Sequence, residues 1–552
     1  MEQVGNHATA CAGTTDQRSQ REQGGRKYCA RMSIRRRVRQ LVPFVAVIVA
    51  CLGLSATSAT AGTTRKPAGT PSELLANAGG AVTGNTNYTN SRKVISTKIN
   101  LGNVDTLTPS WSFPLTSFGI YGAMSSNPIV NDGVVYFTDA VSNAYAVNAG
   151  SGSLIWKNTY NDPSLAQNGP TLANGHLFVG AGSDMLSLDP KTGKELWRTT
   201  LNESDNATID MAPLAWKNLI IVSTIPFKLP KGIYTGGQKG VVFGLNAKTG
   251  KKVWSFDTTT DNLWGNPEVN SGGGLWSTPS IDNKGTMYMS VANPGPLVGT
   301  TEFPNGSSRP GKNLYTNSLV ALNAATGKLK WYYQVTPHDI RDYDLQLPPI
   351  LATFKIKGKE RDVVVVGGKM GRVLVIDRKT GKPIWNRKVG KHNEWGDPSK
   401  PFPVDPASPE YPITMYPGQA GGVETPMAVS GSKIFVPVSD LCAKISSPTL
   451  LGSCPFTEGT GSILALDGAT GKTLWKTPLP TLPDSAVTMV DNVLVAPATN
   501  GTIYALSPKT GKIVSEQPTA VGINAPPAVS GRTMYLGAGL GPGAALTAYR
   551  LP

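Results

Sequence analysis

The densest chemistry in the chain is one short run, His338-Asp339-Ile340-Arg341-Asp342-Tyr343-Asp344, in a sequence otherwise poor in acids. Carboxylates, an imidazole and a guanidinium packed this closely can move protons and hold an anion. Asp342 is the first candidate for a general acid/base, with Asp339 beside it. His338 is another, because imidazole titrates near neutral pH. A structural reading stands next to this one, in which Asp339 and Asp344 pair with Arg341 and clamp the loop. Lys312, Arg341 and Lys369 would add positive charge to the same place, and a cleft of one sign focuses an anion. Lys369 lies where a strand is expected to start, and a lysine there costs stability unless it is wet or paired. Glu424 is the remaining acid expected at this site, and on the structural reading it is a partner for Lys312.

Other site chemistries are missing from the sequence. The four histidines, His7, His176, His338 and His392, are scattered, so no metal site is expected. No phosphate loop, nucleophile elbow or Ser-His-Asp arrangement is recognisable. The lysines fall mostly one to a repeat turn, which reads as a solvated surface and not as a nucleic-acid patch.

The elements that must position these groups come from an internal repeat: apolar strand, Asp/Asn, two residues, Thr/Ser-Gly, usually Lys, then Trp. Its copies end at Trp156, Trp197, Trp254, Trp331, Trp385 and Trp475, and a last copy carries Ser515 in place of Trp. Asp or Asn opens a hairpin turn and Gly takes its left-handed position. A small or Pro-containing segment follows each copy, as at Asn127-Pro128, Thr278-Pro279 and Thr425-Pro426, and predicts a return to an inner strand. The expected fold is all-β: an eight-bladed β-propeller of four-stranded antiparallel blades. The segment around Trp111 completes the last blade, so that N- and C-terminal strands close the ring and remove free edges.

The chain has 552 residues, with 52 Lys+Arg against 36 Asp+Glu and a formal net charge of +16. The 39% apolar content and 11 Trp exclude general disorder, and five Cys exclude a disulfide scaffold. Arg35, Arg36, Arg37 and Arg39 precede an apolar run to Leu54, and Ala59-Thr60-Ala61 follows. That order is a secretory signal, with cleavage near Ala61 and Met32 as a natural start. Residues 1–61 are therefore read as a signal peptide with an N-terminal extension, 62–99 as a flexible leader and 100–552 as the propeller. The expected location is periplasmic or secreted, and in that compartment Cys442 and Cys454 are read as a disulfide. No segment reads as a membrane span. A homodimer is among the oligomeric states left open.

The Asp-x-x-Thr-Gly-Lys-x-x-Trp copies resemble the repeats of the quinoprotein alcohol dehydrogenase superfamily. That resemblance implies a central funnel holding pyrroloquinoline quinone (PQQ) with calcium. GGGLWSTPSID resembles the segment whose Trp floors the quinone, which falls on Trp276. VANPGP resembles the one supplying a calcium-binding Asn, which falls on Asn293. GGKMGRVLVIDR resembles the strand offering a cation to the quinone oxygens, which falls on Lys369. The departures are larger. RPGKNLYTNSLVALN has Lys312 where the family carries its catalytic Asp, and a cation is no base. Thr235 or Gln238 replaces a calcium-binding Glu, Ser125 stands where another Glu is usual, Asn143 replaces an Arg, and the adjacent cysteine pair is missing. A hard dication needs several oxygen ligands. The expectation is therefore an exported enzyme without cofactor, acting on a small anion. It is similar to tetrathionate hydrolases, which split that sulfur-chain dianion into thiosulfate, sulfate and sulfur, with a funnel Asp as acid/base. A PQQ- and Ca²⁺-dependent alcohol or polyol dehydrogenase with a rearranged site, and a propeller scaffold without activity, are the alternatives.

Overall fold

A computed structural model describes residues 83–552 apart from 96, 167–168 and 203–205. The signal segment, Met32 and most of the expected leader lie outside the described residues. Secondary structure is almost entirely strand, arranged in four-stranded antiparallel blades. The innermost strands Ile129–Asn131, Ser280–Ile281, Ile350–Ile356 and Ala428–Ser430 begin one or two residues after the small or Pro-containing segments, and Thr488–Val490 begins on its expected segment, Thr488-Met489. The C-terminal sheet joins Ala528–Ser530, Thr533–Ala538 and Ala545–Arg550 to Thr108–Pro114, which pairs antiparallel with Ala545–Arg550 through Trp111↔Ala548.

The repeat's chemistry explains its conservation along the chain. In one copy Val241–Asn246 pairs with Lys252–Asp257. Asn246 Oδ1 accepts the amides of Lys248 and Thr249, and Gly250 sits at φ +72°. Trp254 then reaches the next blade, where its indole donates to Ala324 O and its ring covers the turn at Gly327. A Cβ on Gly327 would lie 2.6 Å from that ring, so glycine is required there for packing as well as for its φ of +67°. Trp111, Trp156, Trp197, Trp331, Trp385 and Trp475 cover the turn glycines 152, 193, 250, 381, 471 and 511 in the same way. Ser515 has no such turn to cover. The next blade's two outer strands, Ala545–Arg550 and Thr108–Pro114, come from opposite ends of the chain and are not joined by a hairpin.

The described part of the expected leader is tied down, not loose. Backbone amides of Ile281, Leu351 and Val429 donate to Tyr88, Thr89 and Ser91, and Lys93–Val94 runs parallel to Thr488–Val490. Arg92, 1% exposed, donates to Gly84 O, to Asn85 and Asn127 Oδ1 and to Thr488 Oγ1. These contacts lie a few residues further along the inner strands than the site below.

Candidate functional site: a buried lysine among carboxyls

The loops that enter the innermost strands deliver Trp276, Asp342, Asp344, Glu424 and Asp484. The ends of second strands deliver Asn293, after Thr286–Ser290, and Lys369, after Lys359–Gly368. Lys369 Nζ lies 2.7 Å from Asp344 Oδ2 and 3.0 Å from Asp342 Oδ2, with its side chain 13% exposed. Asp344 is fixed from behind: its Oδ1 accepts the amide of Asn293 at 2.7 Å, and its carbonyl accepts the amide of Lys369. Asn293 Oδ1 accepts the hydroxyl of Tyr234, a residue of the insertion after Leu219–Ser223. Gln346 Nε2 donates to Glu424 O, and Ser277 Oγ donates to Gln346 O, which joins the loops of three blades. Asp342 holds this position with a left-handed φ of 62°, which Asp tolerates better than most residues.

The electrostatics follow from burial and neighbours. Burial pushes the Asp342 carboxyl up to about 7; Lys369 pulls it back and Asp344 adds to the rise. Burial holds Glu424 well above the usual carboxyl range, with Lys369 opposing. Burial also lifts Asp484, which accepts from Ser439 Oγ, to about 6. For Lys369, burial alone would favour the neutral amine, but Asp342, Asp344 and Glu424 outweigh it and keep the ammonium far above its ordinary value. The result is one fixed cation, a carboxyl poised near neutrality and a second carboxyl, Glu424, in which burial favours the neutral form and Lys369 the charged one.

The expected residues divide cleanly. Asp342, Lys369, Glu424 and Asn293 come together, and the loop that carries Trp276 is tied to Gln346 through Ser277. Asp339 is a loop clamp: its carboxylate accepts the amides of Arg341 and Tyr343 and the side-chain amide of Asn317. Arg341 points away from the funnel, donating to Trp395 O and Lys400 O with its guanidinium over Phe402. His338 Nε2 is bonded to Asn305 O, outside the lysine cluster. Lys312 is exposed and joins none of the ion pairs among the described residues, so its expected bridge to Glu424 is not made; Lys369 is the cation beside Glu424. Tyr234 and Asp484 were missed. Tyr234 lies in an insertion outside the repeat register, and Asp484 is a single acid without a motif. Cys442 and Cys454 are disulfide-bonded. Among the described residues no group of three or more His, Cys, Asp or Glu could hold a metal, and no helix is long and apolar enough to cross a membrane.

Comparison with known proteins fits this architecture. Residues 202–416 match the model for the glucose/ethanol/alcohol dehydrogenase β-propeller domain, and residues 459–549 match that for the outer membrane protein assembly factor BamB. The chain belongs to the PQQ-repeat β-propeller superfamily. This PQQ-repeat propeller is 28% identical to a quinohemoprotein alcohol dehydrogenase of Comamonas testosteroni, over 80% of its own length and 69% of the relative's. It is 26% identical to a quinoprotein ethanol dehydrogenase of Pseudomonas putida, over 81% and 83%. The solved Comamonas testosteroni enzyme superposes with a TM-score of 0.72 at 25% identity, covering 87% of this chain and 83% of that one. These relatives overturn the expected tetrathionate hydrolase, and with it the expectation that no cofactor is needed.

The residues can be tested against that cofactor. Asp342 Oδ1 and Glu424 Oε2 beside Lys369, and Oε1 of Gln346, whose Nε2 bonds Glu424 O, are buried without a hydrogen-bond partner in the protein. Folded chains rarely leave such groups unpaired, so their convergence suits a polar ligand. A flat quinone with acidic oxygens fits a cation, a carboxyl whose neutral form burial favours, and an indole. The calcium half of the centre fits poorly: Asn293 Oδ1 and both oxygens of Asp344 are engaged within the protein, and the carboxyl oxygens left over lie beside the Lys369 ammonium.

Proposed function

We propose that this propeller is a quinone-dependent dehydrogenase of alcohols or polyols, with PQQ held in the funnel by Lys369, Glu424 and Trp276. The observation that carries the reading is the match of residues 202–416 to an alcohol dehydrogenase propeller, together with the partnerless polar oxygens around Lys369. When bound, PQQ would supply the two-electron acceptor. The chain's own residues supply the rest. Asp342 Oδ1, partnerless and titrating near 7, takes the hydroxyl proton of the alcohol, replacing the acid that Lys312 displaces. Lys369 holds the other oxygen of Asp342 and keeps its position fixed. Glu424, whose neutral form burial favours, would donate to an acceptor oxygen when protonated, and the indole of Trp276 would offer a flat face.

We also read the blades as one closed eight-bladed ring. The pairing of Thr108–Pro114 with Ala545–Arg550 and the strap across successive inner strands support this. A place outside the cytoplasm is supported by the Cys442–Cys454 bond and the signal-like amino terminus. The scaffold reading is favoured by the match of residues 459–549 to BamB. Against it, a scaffold has no use for a buried ammonium ringed by carboxyls. The test is dye-linked oxidation of ethanol and of polyols by the purified mature chain, with and without added PQQ. Dye reduction that needs both PQQ and alcohol supports the dehydrogenase; PQQ that binds without any alcohol being oxidised supports the scaffold.

A further inference from the structure

A divalent cation beside the quinone would need several oxygens, carboxylates foremost, presented without competing partners. The acceptors on Asn293, Asp344, Gln238 and Asn143 have other commitments, which leaves Asp342 Oδ1 and Glu424 Oε2 as the partnerless carboxyl oxygens beside Lys369. Asn293 Oδ1 takes the Tyr234 hydroxyl, and Asn293 Nδ2 donates to Pro294 O, so the amide is oriented by both ends. Asp344 is used on one side by the Asn293 amide and on the other by Lys369. Asp342 keeps one free oxygen, and its other oxygen faces the same ammonium. Gln238 is neutral and fully occupied: its Oε1 accepts the Thr235 amide at 2.8 Å and its Nε2 donates to Gly232 O at 3.2 Å. Asn143 is likewise spent on its own loop, with its Nδ2 on Asp339's counterpart in the first blade, Asp139, and its Oδ1 on the amides of Tyr160 and Asn161. A second positive centre would also face the Lys369 ammonium across the same two carboxyls, in surroundings where water screens little.

We propose that the Lys369 ammonium between Asp342 and Asp344, with the Tyr234 hydroxyl closing Asn293, takes the place of the divalent cation, so that this funnel binds its quinone without metal. The proposal rests on the dehydrogenase reading and deepens it. The fixed lysine supplies the positive charge toward the acidic oxygens of the cofactor, and Tyr234 removes the side-chain oxygen most able to recruit a metal. Unlike a metal, an ammonium held this way cannot be stripped by a chelator, and its charge persists through the whole range in which Asp342 titrates.

The experiment is a calorimetric titration of the purified mature chain with PQQ in chelator, and again with Ca²⁺, Mg²⁺ or La³⁺ added, with elemental analysis of the protein for bound metal. The expected result is the same affinity in all buffers, within about twofold, and no stoichiometric metal. Lys369→Met should weaken the chelator-resistant binding by about tenfold or more, while Lys369→Arg retains most of it. Binding that appears only with a metal, or tightens by about tenfold with one, overturns the proposal and leaves the dehydrogenase reading standing. Unchanged affinity in Lys369→Met also overturns it. No PQQ binding in any buffer refutes the dehydrogenase reading, and the proposal falls with it.

Discussion

Replacing Lys369 by Met keeps the length of the side chain and deletes its charge. The structure gives the size of the loss. Nζ is 2.7 Å and 3.0 Å from two carboxyls whose side chains are 0% and 11% exposed, so neither can turn to water when the ammonium goes. Removing one partner of a buried pair costs about 3–5 kcal/mol, against about 1 kcal/mol or less for an exposed one. The loss must depend on pH. Asp342 has a folded pKa of about 7, above its unfolded value of 3.8, so its charged form already weighs against folding above that value. Without the ammonium it rises further. The penalty is full above the folded pKa and fades as pH falls toward the unfolded one. Lys369 itself, raised well above 10.5, stays charged throughout and adds no pH dependence in this window. Guanidinium denaturation of wild type and variant at pH 8 and pH 5 reads the difference from the midpoints at unchanged slope. The account requires the larger loss at pH 8 and a clearly smaller one at pH 5. A loss below about 1 kcal/mol, or one equal at both pH values, refutes the reasoning.

Asp342→Asn should lower dye-linked alcohol oxidation by about 10²- to 10⁴-fold while leaving PQQ binding measurable by calorimetry. Because a base must be deprotonated, wild-type turnover should rise as pH passes upward through about 7, and that limb should vanish in the variant. Gly327→Ala should cost about 2 kcal/mol or more in denaturant midpoint, since its Cβ would meet Trp254 at 2.6 Å and its φ is positive; a neutral result would contradict the blade-docking account. Arg92→Ala should destabilise by about 3 kcal/mol through buried acceptors left without a donor, and proteolysis should then cut within 83–95 before the blades.

The fold was legible because the repeat writes its own packing. Asp or Asn, Gly and Trp recur since each turn needs an Asx cap and a left-handed residue, and each Trp needs a bare glycine beneath it in the next blade. Even the exception at Ser515 has a cause, the absence of a hairpin in the blade completed by Thr108–Pro114. The strap at 83–95 was not legible. It is polar and aperiodic, and it is held by backbone hydrogen bonds to inner strands that no side-chain pattern records. At the site, residue type was a good guide and direction was not. Asp342 and Arg341 are neighbours in sequence, yet one faces Lys369 and the other turns to carbonyls at 395 and 400. Lys312 occupies an expected catalytic position and lies exposed. The hydroxyl that closes Asn293 comes from an insertion that the repeat register does not predict. The shortage of acids drew attention to Asp342 and Glu424, which lie beside Lys369, and pointed to the wrong reaction.

The most direct test of the account is oxidation of a primary alcohol by the mature chain after reconstitution with PQQ, followed through an artificial electron acceptor. The account predicts acceptor reduction that requires alcohol, PQQ and an intact Asp342, with activity rising across pH 7. Absence of any alcohol-dependent reduction with PQQ bound, or equal rates in wild type and Asp342→Asn, would contradict it.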